Sequence, residues 1–136
     1  MQDQYKKQSI ETASPAKLVV MLYEGAIRFI DEAIEKMDYT TYDQVNRNIQ
    51  RAKDIVVELR ISLNFKSGGE VATRLDALYD YVFSKLGEGN VKKDVKPLKE
   101  ARKVISELLG SWSEIAKGPD KGGDPPSTTS SFSLRG

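Results

Sequence analysis

Cysteine and histidine are both absent from this sequence. Without cysteine there is no disulfide and no thiolate nucleophile. Without histidine, the commonest general base and the commonest metal ligand are missing as well. No cofactor and no bound metal are therefore expected. No apolar run approaches the ~18 residues that a membrane span needs, so no membrane insertion is expected. The opening "MQDQYKKQS" lacks the apolar stretch of a secretory signal, and the expectation is a cytoplasmic protein. An excess of one charge is missing too. The net charge is +1 with both signs interspersed, which does not make a nucleic-acid footprint.

What is present is helix. The chain has 136 residues, 39% of them apolar and 30% charged, which suits one domain with one core. Ser14 followed by Pro15 predicts an N-cap and a proline at the first helical position, opening a first helix that runs to about Met37. Thr41 with Gln44 three residues on predicts a capping box and a second helix to about Phe65. The paired glycines of "KSGGE" predict a break, and a third helix follows over roughly Glu70 to Leu86, stopped by "GEGN". Asp94 is the expected cap of a fourth helix, with Pro97 tolerated in its first turn, ending near Lys117. The remainder is rich in Gly, Pro, Ser and Thr and is expected to be a disordered tail. Its close, "SSFSLRG", holds two apolar residues ahead of an arginine. Short links between four helices predict an all-α, antiparallel up-down four-helix bundle. The expected organisation is an N-terminal arm over 1–13, a bundle over 14–117 and a tail over 118–136.

Periodicity names a core. Val45, Ile49, Ala52, Val56, Leu59 and Leu63 alternate steps of four and three in the second helix. Leu98, Ala101, Ile105, Leu108, Trp112 and Ile115 do so in the fourth. In the third, Val71, Leu75, Leu78, Val82 and Leu86 form the predicted stripe, widened by Tyr79 and Phe83. Apolar residues remain beyond these. Leu18 to Tyr23 is an unbroken apolar run in the first helix, including Leu18, Met21 and Leu22, while Phe29, Ile30 and Ile34 already supply a core face. Val57, Ile61 and Phe65 share a second face of the second helix. Extra apolar faces on a small bundle predict a cover from outside it: the arm, the tail, a weak homodimer or a partner in a groove.

Enzyme chemistry is not expected. Glu32 with Glu35 and Asp76 with Asp80 are carboxylate pairs at helical spacing and read as solvated charge. "GEGN" follows a helix and lacks the lysine of a phosphate-cradling loop.

"QYKKQSIETASPAKLVVMLYEGAIRFI", "GGEVATRLDALYDYVFSKL" and "GNVKKDVKPLKEARKVISELLGSW" occur in order and at matching separation. In this the chain resembles the FliS family of flagellar export chaperones, over about residues 4 to 117; the tail lies outside the resemblance. The resemblance implies a four-helix bundle with an N-terminal arm and no enzymatic activity. It implies a cytoplasmic chaperone that binds the C-terminal segment of flagellin, prevents premature polymerisation, and delivers the subunit to the flagellar type III export gate. It implies that Tyr5 and Ile10 anchor an arm over part of the binding surface. With the leftover apolar residues, the candidate partner-binding set is Tyr5, Ile10, Leu18, Met21, Leu22, Val57, Ile61, Phe65 and Tyr81. The alternative is a generic helical adaptor that binds another amphipathic segment through the same faces.

Overall fold

The computed structural model describes residues 14–117. The predicted arm, with Tyr5 and Ile10, and the predicted tail lie outside the described residues. Four helices make the bundle: α1 (Pro15–Glu35), α2 (Tyr42–Ile61), α3 (Phe65–Lys92) and α4 (Val95–Lys117), with a short 3-10 turn at Tyr39–Thr41. Each helix packs mainly on two neighbours. α1 lies against α2 and α4, and α3 lies against α2 and α4, so α1 and α3 face each other across the diagonal. The order is up-down-up-down, as short links require.

The helix starts follow local chemistry. Ser14 Oγ accepts from the Lys17 amide at 3.2 Å, with Pro15 at the first position. Asp94 Oδ1 accepts from the Lys96 amide at 3.0 Å and starts α4. The predicted capping box is not formed. Thr41 makes no cap bond; its hydroxyl donates back to the Lys36 carbonyl at 2.6 Å, because the 3-10 turn puts that acceptor within reach. Asp38 takes the capping role for this turn, accepting from the Thr40 amide at 2.9 Å.

Two predicted boundaries shift. α2 ends at Ile61, and Asn64 caps the next helix by accepting from Lys66 and Ser67, each at 3.1 Å. The glycine break is a sharp bend within α3 at Gly69, where φ is 54° and ψ is −128°, a conformation that suits glycine. At the other end, "GEGN" does not stop the helix. Gly89 faces the start of α4 so closely that a Cβ there would lie 2.5 Å from Leu98 Cδ2. The glycine serves helix approach instead, and the left-handed exit falls to Lys93, at φ 51°. The Lys93 ammonium donates to Asn46 Oδ1 at 2.8 Å and to the Asn90 carbonyl at 2.7 Å. Those bonds hold an ordinary side chain in a conformation that favours glycine.

The core includes Val19, Tyr23, Ile30, Val45, Ile49, Val56, Leu59, Leu75, Val82, Leu86, Leu98, Ile105 and Trp112, all buried. Burying each large apolar side chain is worth about 1.5–3 kcal/mol gross. The second-helix stripe is buried throughout. The third-helix stripe needs correcting: Val71 and Leu78 are exposed, and Ala72 and Tyr79 take the inward places. Both stripes share Leu75, Val82 and Leu86, so spacing alone did not separate them. At the end of the fourth-helix stripe, Ile115 is exposed too, while Leu108 is partly buried against the core.

Tyr79 is inward because it has a partner. Its hydroxyl lies 2.6 Å from that of Tyr23, buried on the α1–α3 diagonal. Burial disfavours the phenolates and pushes both hydroxyls above their ordinary range, Tyr23 further than Tyr79.

Candidate functional site: the apolar outer faces

The run Leu18 to Tyr23 has its cover within the bundle. Val19 and Tyr23 are core, while Leu18, Val20 and Leu22 pack partly buried against it. α1 has neighbours on two sides, and their combined arc spans most of that run. Met21 is half-buried at the edge.

The second face named in the sequence is open. Val57, Ile61 and Phe65 are 40%, 67% and 50% exposed. Val57 and Ile61 are one turn apart on the outer side of α2. Phe65, expected from the sequence on the same helix, instead opens α3 after the turn, and so extends the face across the α2–α3 link. Beside it, Arg60 on α2 bonds Asp76 at 2.9 Å and Asp80 at 3.2 Å on α3. This corrects the reading of Asp76 and Asp80 as merely solvated charge: they clamp α3 to α2. The pairing holds the Arg60 guanidinium above its ordinary range, through the Asp76 hydrogen bond first.

Tyr81 is exposed but sits elsewhere. It is ~100° around α3 from Asp80, and its ring lies 5.6 Å from the Lys85 ammonium. Lys85 in turn pairs with Glu100 of α4 at 3.1 Å. Tyr81 therefore belongs to the α3–α4 flank. The candidate residues of the described region thus divide three ways: Leu18, Met21 and Leu22 on α1, Val57, Ile61 and Phe65 on the outer α2 face, and Tyr81 across α3. Exposed Val71, Leu78 and Ile115 were read as core; for Val71 and Leu78 the signal that could have found them is the alternative inward stripe through Ala72 and Tyr79.

Among the described residues no group of three or more Asp or Glu side chains is placed to hold a metal, and no helix is long and apolar enough to cross a membrane. Fold and site together define a helical bundle with a filled core and apolar outer faces.

The family model described as "Flagellar protein FliS" matches residues 1–119. A flagellar secretion chaperone FliS of Bacillus subtilis is 29% identical over 117 residues, covering 86% of each chain. That of Vibrio cholerae is 32% identical over 115 residues, covering 82% of this chain and 85% of its own. That of Campylobacter jejuni is 32% identical over 111 residues, covering 82% and 87%. The chain belongs to the FliS family, and these relatives are named as secretion chaperones.

Proposed function

We propose that this protein is a cytoplasmic chaperone for flagellin, holding the C-terminal segment of that subunit against the outer face of α2. The observation that supports this most directly is the exposure of Val57, Ile61 and Phe65 beside a core that needs none of them. An amphipathic segment that folds as it docks would bury them, in helix-in-groove fashion. A disordered ligand loses entropy on ordering, so it needs a long apolar surface, and the half-buried Leu18, Met21 and Leu22 and exposed Tyr81 are candidate extensions. Covering the segment keeps it from pairing with other subunits until the export gate receives it. In the empty protein, Tyr5 and Ile10 of the arm cover part of the α2 face and are displaced by the ligand.

The test is calorimetric titration of the full chain with the C-terminal ~40 residues of flagellin from the same cell, a length matched to wrapping several helices at ~1.5 Å per residue. Saturable binding is expected, weakened roughly ten- to a hundred-fold by Ile61→Asp. Absence of binding, or binding indifferent to Ile61→Asp, would refute this assignment. Deleting residues 1–11 should also change the affinity, since the arm and the ligand share a surface.

A further inference from the structure

Apart from Tyr39 and Val91 by the links at the opposite end, a further group of exposed apolar residues lies outside both the core and the α2 face. Val71, Leu78 and Ile115 are exposed along the seam between α3 and α4. The two helices run antiparallel and are pinned by the Lys85–Glu100 bond. Following both away from that bond, at equal rise per residue, brings Val71 level with Ile115 and Leu78 level with partly buried Leu108. The residues make a strip about two turns long. Asp76 and Asp80, which hold Arg60, occupy the other flank of α3, so the strip is separate from Val57 and Ile61.

We propose that this strip is covered by the chain's own residues 118–136, with Phe132 and Leu134 as the anchors. The point of departure favours it: α4 ends at Lys117, two residues past Ile115, so the segment leaves from the edge of the strip. The length favours it. Fourteen residues lie between Lys117 and Phe132, and as a flexible coil they span ~20 Å on average. That matches the scale of the strip, where a tether gives an effective concentration in the millimolar range. The composition favours it as well. Phe132 and Leu134 are the only large apolar side chains after Lys117, and their spacing of two directs both to one side of an extended strand. The family match stops at residue 119, so this cover is a feature of this chain beyond the shared fold. A two-anchor cover yields to any longer apolar ligand, which makes the segment an intrachain competitor at the α3–α4 seam. The idea is independent of what binds the α2 face.

The full chain has no cysteine, so Ser130→Cys accepts a single nitroxide label, read by amide NMR. The expected result is at least threefold greater broadening at Val71, Leu78 and Ile115 than at the outer residues of α1. Adding Phe132→Asp and Leu134→Asp should abolish that preference. Three outcomes overturn the proposal: no preference for the seam, a preference that survives the two aspartates, or broadening carried to separately isotope-labelled chains in a mixture, which would make a second copy the occupant.

Discussion

The two ends of this bundle are built differently. At one end the α1–α2 and α3–α4 links meet. Lys93 of the second link bonds Asn46 in the first turn of α2, Gly89 lets Leu98 in without room for a methyl group, and Thr41 ties back to Lys36. At the other end lie the start of α1, the α2–α3 turn and the end of α4. There Ile61, Phe65, Val71 and Ile115 are exposed, and a Cβ at Gly69 would meet nothing within 4 Å. The first end is tied by direct bonds between its links even though Tyr39 and Val91 are exposed there, whereas the second gathers its exposed apolar side chains around an untied turn. One end thus holds the helices in register, while the other carries most of the face proposed above for the ligand.

Identical substitutions should separate the two kinds of place. Ile49→Asp puts a charge into the core of α2, and a loss above about 4 kcal/mol is expected, seen as failure to fold or a collapsed denaturant midpoint. At the closed end, Gly89→Ala drives a methyl into Leu98 and should cost about 1–3 kcal/mol. Combined with Leu98→Ala, which removes the Cγ at 2.8 Å as well as Cδ2, the loss should be less than the sum of the two single losses. Gly69→Ala should also cost about 1–3 kcal/mol, but through its backbone conformation alone, so no neighbouring truncation couples to it. Coupling at both glycines would erase the contrast.

The diagonal tyrosines sharpen it further. Tyr23→Phe or Tyr79→Phe leaves the other buried hydroxyl without its partner, an expected loss of about 1–3 kcal/mol. The double variant should lose less than the sum, measured by a double-mutant cycle. The same pair predicts alkaline behaviour. Both hydroxyls stay protonated in the native state, above the pH where the unfolded chain releases them, near about 10. Their contribution is full below that pH and falls as the pH rises through the raised native values. Denaturant midpoints measured from pH 9 upward should fall less steeply in the double phenylalanine variant. The smallest stability effect belongs to the open end. Ile61→Asp should change folding by no more than about 0.5 kcal/mol while weakening the flagellin segment. If it unfolds the protein, Ile61 is structural and the binding face lies elsewhere.

Much of this was legible in the sequence because it is local. Ser14 and Asp94 cap where their residue types and followers said they would, and the α2 stripe from Val45 to Leu63 could face only one way. The open face at Val57 and Ile61 was legible for the same reason, since both sit well around the helix from that stripe. The α1 run was misleading because the number of neighbours around a helix is a property of the assembled bundle.

The sequence by itself determined four amphipathic helices, the exclusion of cysteine and histidine chemistry, and the motifs that carry family membership, since each is a matter of residue type and short-range spacing. Tertiary structure decided what spacing leaves open. Tyr79, rather than Leu78, turns inward because Tyr23 waits on the diagonal with a hydrogen bond. Gly89 continues a helix rather than ending it because Leu98 needs its empty side. Asp76 and Asp80 reach Arg60 as well as water because α2 lies alongside. Each of these choices depends on an atom of another helix, and no pattern within one helix can report on it.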